Sequence, residues 1–327
     1  MEKEEDLAIA GTNEEKEHNI AFKGKGSAYF GVVVVNWLLT MLTLGIYYPW
    51  AKARQLQYLY GSTELNNDPL SFHGTGKEMF KGFIKAILLF VIIYGIFFAL
   101  LLLEFPLIGT LFFYLSIIAI LPLVIHGSIR YRMSRTSWRG IRFGYRGDRK
   151  TLTLNFFKWI FFTIITFGLY NAWMTMNLRN YLIGNIKFGS LKFKYKGDGL
   201  EFFIINFTCY LLTIFTFGIY FFWWQKKLFD YYINNLSVEN DEDQNIKMHS
   251  TATGFGFLKL IVVNQLILIF TLGLGYAWTV TRTLTFVFNH IELKGDIDLD
   301  KIIQTEENFK DATADDIGDM LDLDLIF

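Results

Sequence analysis

At 327 residues the chain could form two soluble domains, yet 52% hydrophobic and 18% aromatic content with a mean hydropathy of +0.30 makes the bilayer its expected solvent. Its formal net charge of zero conceals a division: residues 1–19 carry −5 and residues 292–327 carry −9, which leaves +14 for the body between them. A basic membrane body suits anionic lipid headgroups and positive-inside bias; nothing points to a nucleic-acid partner, and protein partners are not specified.

In chain order, residues 1–19 lack the basic-then-apolar pattern of a secretory signal and read as a disordered acidic leader. Residues 20–291 read as a membrane domain of five units, approximately 22–71, 72–142, 143–192, 193–247 and 248–291, followed by an acidic tail over 292–327. Aromatic-glycine punctuation opens four units, as F-K-G-K-G at Phe22, F-H-G-T-G at Phe72, F-G-Y-R-G at Phe143 and F-K-Y-K-G-D-G at Phe193, with a looser M-H-S-T-A-T-G at Met248. Each marks a strand or turn that leads into an apolar run. G-T-G-K at Gly74 and G-K-G-S at Gly24 lack the spacing that wraps backbone amides around a phosphate, so they read as turns.

Six apolar runs approach membrane length: Tyr29 to Tyr48, Phe83 to Leu103, Leu107 to Ile125, Phe156 to Met174, Phe202 to Trp224 and Phe257 to Trp278. Four of them contain a shared octapeptide: T-L-G-I-Y-Y-P-W at Thr43, T-F-G-L-Y-N-A-W at Thr166, T-F-G-I-Y-F-F-W at Thr216 and T-L-G-L-G-Y-A-W at Thr271. Gly45, Gly168, Gly218 and Gly273 share one position in it and are expected to break the helix by positive φ or by close approach of a neighbour. After the break, Trp50, Trp173, Trp223 and Trp278 match, as do Arg54, Asn177, Lys227 and Arg282. Tryptophan, cation and aromatic recur at steps of four, on one face of an amphipathic helix. Trp50, Arg54, Trp173, Trp223, Lys227, Trp278 and Arg282 are therefore candidate interfacial contacts to lipid or anion.

The second unit runs in through Phe83 to Leu103, turns at E-F-P-L-I-G, and returns to an end with five arginines between Arg130 and Arg142. By the charge rule this end is cytoplasmic, so the unit enters and leaves on one side. Applied to the other four, the same pattern makes them shorter hairpins, with about fifteen residues per limb and thus too short to cross fully. Single spans with alternating sides compete, but would put the basic Ile186 to Lys196 segment outside. The expected fold is an all-α multi-pass membrane protein: five pseudo-repeated units of membrane helix, T-x-G-x-Y break and amphipathic helix, with short strands forming a small extramembrane sheet.

The repeated octapeptide, R-T-S-W-R-G-I-R-F-G from Arg135 and the terminal E-L-K-G-D-I-D-L-D from Glu292 resemble the YjgN family, over Phe22 to about Asp300. The resemblance implies a multi-pass protein of the bacterial inner membrane and no established activity. Departures are Gly275, where other units have Tyr47, Tyr170 and Tyr220, and Asn177 at the cation position.

Catalytic signatures are missing. His18, His73, His126, His249 and His290 stand at no metal-ligand spacing, and the single Cys209 has no partner, so neither metal nor cofactor is indicated. No carboxylate lies in the middle of an apolar run, which weighs against proton-coupled transport. Asn36 and Asn264 match, as do Thr40, Thr163 and Thr213, which makes them a candidate intramembrane polar lining or, more plainly, groups that satisfy backbone near the breaks. Two functions stand: handling of a lipid or small solute by a transporter or channel-like body, or a non-transporting scaffold that binds anionic lipids or proteins through its basic segments.

Overall fold

The computed structural model describes residues 16–240, 242, 244–302 and 304. Its elements recur as strand, helix, helix, strand. Strands β1 (Lys16–His18) and β2 (Ile20–Phe22) lead into α1 (Gly26–Leu42), α2 (Tyr48–Gly61) and β3 (Thr63–Leu65). The second set is β4 (Asp68–Phe72), α3 (Gly76–Leu102), α4 (Pro106–Arg135) and β5 (Thr136–Trp138). Then come β6 (Ile141–Tyr145), α5 (Arg149–Ile165), α6 (Asn171–Gly184) and β7 (Ile186–Phe188), and next β8 (Leu191–Tyr195), α7 (Gly199–Phe215), α8 (Phe221–Asn234) and β9 (Leu236–Glu239). The last set is β10 (Asn245–Ser250), α9 (Gly254–Phe270), α10 (Tyr276–Asn289) and β11 (Ile291–Gly295), followed by a 3-10 turn over Leu299–Lys301.

The all-α expectation is overturned. All eleven strands join one antiparallel sheet in the order β1-β11-β10-β9-β8-β7-β6-β5-β4-β3-β2. Only Asn19 separates β1, which pairs with β11, from β2, which pairs with β3, so the sheet closes on itself in a barrel-like ring. Two-residue turns at Asn66-Asn67 and Arg139-Gly140, with positive φ throughout, join strands of successive sets in the twist that hairpins favour. The aromatic-glycine punctuation falls elsewhere, where the strand that opens each unit meets its helix, and made those strands legible. The strands after each second helix were not, because segments of three to five residues such as Ile186–Phe188 carry too little alternation to register.

The expectation of six membrane-length runs also fails. Among the described residues only α3 and α4, with 27 and 30 residues, are long and apolar enough to cross a membrane; the other four runs are divided at their breaks into helices of 17 and 14 residues. The expected leader and tail fall mainly outside the described residues; of their described parts, Lys16–His18 and Ile291–Gly295 are strands.

Apolar side chains from every strand between β2 and β11 meet inside the barrel. Trp138, Phe188, Leu191, Val238, Ile246 and Leu293 are buried there, and Ile297 and Leu299 from the chain after β11 pack into the same cluster. Trp138 Nε1 donates to both Leu65 O and Asp68 O, so its polar edge is satisfied within the core. The long hairpin is fixed at its base by a Thr75–Glu78 capping box, whose Glu78 carboxylate also accepts from Arg135 and Tyr131.

Candidate functional site

Local packing explains the glycine punctuation. A side chain at Gly24, Gly74, Gly147 or Gly197 would collide with the ring two residues earlier, namely Phe22, Phe72, Tyr145 or Tyr195, which folds back over the turn. Burial pushes the hydroxyls of Tyr145 and Tyr195 well above the ordinary tyrosine range, so they stay neutral. The next glycine seats a tryptophan from the preceding hairpin: Trp50 on Gly76, Trp173 on Gly199, Trp223 on Gly254, and Trp278 on Gly26. The last contact joins the final hairpin to the first. These four tryptophans, singled out as interfacial contacts, therefore latch neighbouring hairpins together.

A second set of contacts ties the return limb of three hairpins to their own entry. Tyr58 Oη donates to Lys25 O and accepts from Lys25 N, at 2.9 and 3.0 Å. Tyr231 does the same with Asp198, and Tyr181 Oη donates to Asp148 O at 2.7 Å. Lys25, Asp148 and Asp198 precede their helices directly, so these tyrosines hold α1, α5 and α7 at their starts. The Asp148 carboxylate, accepting from the Thr151 hydroxyl and amide, is held below its usual range.

Gly45, Gly168, Gly218 and Gly273 have φ of 91°, 91°, 92° and 87°, and no atom lies within 4 Å of where a Cβ would stand. Positive φ, not close approach, is what these positions require. The preceding Leu44, Phe167, Phe217 and Leu272 also have φ near 50°, and each is between 93% and 99% exposed at the hairpin tip. Tip backbone groups are satisfied locally. Thr216 Oγ1 donates to Leu212 O and accepts from Tyr220 N, Gly218 N reaches Thr213 O, and the other three breaks repeat this pattern. Thr40, Thr163 and Thr213 direct their hydroxyls to the carbonyls of Asn36, Trp159 and Cys209, one turn back.

Arg54, Lys227 and Arg282 lie on three different hairpins. Arg54 and Lys227 each stand over the break tyrosine of their own hairpin, Tyr47 and Tyr220, at 5.9 Å, and Asn177 reaches Tyr170 at 3.5 Å. Arg54, Lys81, Lys158, Lys227, Lys259 and Arg282 have no acidic partner among the described residues, and no described cluster could hold a metal. Asn36 and Arg54 line one groove, together with Ala28, Gly31 and Gln57. Asn264 sits elsewhere, donating to Thr283 Oγ1 at 2.9 Å.

A family model described as "Bacterial protein of unknown function (DUF898)" matches residues 17–197 and 224–320. The curated relatives include inner membrane protein YjgN of Salmonella typhimurium, 36% identical over 42% of this chain and 34% of its own length. They also include inner membrane protein YjgN of Escherichia coli O157:H7, 36% identical over 41% and 32%, and of Escherichia coli K12, 34% identical over 41% and 32%. No solved structure matches. The chain belongs to the YjgN family of bacterial inner membrane proteins, whose function is unknown, and it aligns with about a third of the length of these curated relatives.

Proposed function

We propose that this protein is a lipid-engaging scaffold of the inner membrane: an internally repeated ring of five helical hairpins, one of which crosses the bilayer while four stop within it. The observation that carries this reading is the chemistry of the hairpin tips. A tip that emerges into water has reason to be polar, and the long α3–α4 hairpin turns at Glu104. At the matching positive-φ position the four short hairpins carry an exposed leucine or phenylalanine where the long hairpin, whose Leu103 and Phe105 are also exposed, carries a charge, and their backbone is satisfied internally as hydrocarbon demands.

Lengths agree with this placement. The tryptophan-seating glycines Gly26, Gly76, Gly199 and Gly254 are each the first residue of their helix, so α1, α3, α7 and α9 start at a common level. α3 exceeds the other three by ten residues, about 15 Å at the helical rise, which is half of a hydrocarbon core of about 30 Å. The cations Lys81, Lys158 and Lys259 stand five to nine residues into their helices, about 7–14 Å, at the headgroup level this placement gives. The sheet and both ends of every hairpin then lie on the cytoplasmic side. The packed barrel interior weighs against a solute path along its axis.

Association of anionic lipid tests this reading. In mixed phosphatidylglycerol and phosphatidylcholine bilayers, spin-labelled phosphatidylglycerol is expected to be enriched around the protein. Neutralising Arg54, Lys227 and Arg282 together should weaken that preference by about 1 kcal/mol per charge. An unchanged preference in the triple variant, or solute flux through protein-containing vesicles, opposes it.

A further inference from the structure

The groove on the first hairpin has a composition the other hairpins lack, and the geometry points to a binding site there for a lysophospholipid, recognised by its phosphate and by the free hydroxyl of its glycerol. This rests on the placement of the sheet end at the headgroups. The groove has a volume of about 460 Å³ and is lined on α1 by Ala28, Gly31 and Asn36 and on α2 by Arg54 and Gln57. Gly31 leaves it open, since nothing lies within 4 Å of where its Cβ would stand. At the matching positions the third and fourth hairpins have Leu154 and Ile204. In the fifth, Phe286 closes over Gly256, the match of Ala28.

Two polar groups in the groove have unspent capacity. Arg54 is exposed and pairs with no acid among the described residues, so its planar donors are open to a phosphate. Asn36 is 1% exposed; its amide nitrogen donates to Ala51 O at 3.2 Å, while its Oδ1 has no hydrogen-bond partner. A buried acceptor in that condition calls for a donor.

Depth decides which donor. Asn36 meets α2 at Ala51 and Tyr29 stacks on Tyr58, so Arg54 lies one turn nearer the sheet than Asn36. A lipid with its phosphate at Arg54 thus brings its glycerol, not its headgroup substituent, to Asn36. In a diacyl phospholipid that region offers only ester oxygens, which are acceptors. A lysophospholipid offers a hydroxyl there, and its single chain continues along the apolar face toward the tip at Leu44.

The test uses the full chain in detergent, with bound lipid counted by native mass spectrometry. Lysophosphatidylglycerol is expected to bind at least tenfold more tightly than diacyl phosphatidylglycerol. Arg54→Gln and Gly31→Leu should each weaken it at least tenfold, whereas Lys227→Gln, a matching cation without a groove, should lower lyso and diacyl binding by one and the same smaller factor and leave the preference for the lyso form intact. Asn36→Leu should abolish the preference for the lyso form; where that variant does not fold, Gly31→Leu carries the test, since its side chain enters open space. Equal binding of lyso and diacyl lipid, equal loss in Lys227→Gln, or displacement by glycerol 3-phosphate at the same concentration would overturn the site, the last by assigning it to a soluble phosphate ester. A failed preference, with a spin label placed at residue 217 still shielded from a water-soluble quencher in bilayers, removes the site and leaves the membrane placement standing.

Discussion

Gly218 and the phenylalanine before it show how much of this molecule is decided by single backbone angles. Both residues have positive φ, which glycine adopts freely and phenylalanine does only at a cost, so the tip is held by the Thr216 hydroxyl and the carbonyl of Thr213. Gly218→Ala is expected to destabilise the protein by about 1–2 kcal/mol from the left-handed conformation alone. Gly218→Val should add no packing clash, because the space beside Gly218 is open. Gly31→Ala, inside α1 and equally unobstructed, should instead stabilise by roughly 1 kcal/mol through helix propensity. Melting temperatures in detergent separate the three; a stabilised Gly218→Ala would contradict the break. The threonine-glycine spacing made the break legible in sequence. It could not reveal that the tryptophan five residues after the glycine faces another glycine in the next hairpin, because that contact depends on which hairpins become neighbours.

At the scale of elements, the helical pairs are held by three kinds of contact: a tyrosine at its own entry in three hairpins, a tryptophan on the following hairpin in the four short ones, and strand pairing at the base of all five. Trp278 on Gly26 makes the contact that closes the ring, and a Cβ at Gly26 would stand 2.4 Å from the Trp278 ring. Gly26→Ala should therefore cost about 1–3 kcal/mol through overpacking, and adding Trp278→Ala should remove most of the clash, so that the double variant falls short of additivity. Thermal stability of the two singles and the double checks this; additive losses would mean that the ring does not close through this pair. Helix positions were readable from the apolar runs and their breaks, and the first strand of each set from its aromatic-glycine ending. The sheet was underestimated for a physical reason: within each set the first and last strands pair across the whole helical hairpin, through contacts far apart in sequence, and five of the eleven described strands have only three residues, too few to show alternation.

For the whole molecule, a barrel-like sheet with a packed interior supports a ring of hairpins of unequal length. Trp138 has no exposed surface, packs against Phe188 and belongs to the cluster drawn from the strands, so Trp138→Ala should cost about 3–5 kcal/mol and loosen the entire sheet. Hydrogen exchange should show the loss in strands far from residue 138; a loss limited to β5 and its neighbours would argue against one cooperative barrel. The composition made a membrane solvent legible, and the charge division suggested the cytoplasmic face, but neither specifies how far a hairpin enters. In the proposed placement, depth follows from helix length counted from a common start and from the polarity of the tip. It is measured most directly with spin labels at residues 217 and 104, introduced by Phe217→Cys and Glu104→Cys in a Cys209→Ala background, since Cys209 is the only cysteine and is buried. In phosphatidylglycerol-containing bilayers, a label at 217 should be accessible to oxygen and shielded from a water-soluble nickel reagent, whereas one at 104 should be open to the nickel reagent; equal exposure of both to nickel would contradict a hairpin that ends within the bilayer.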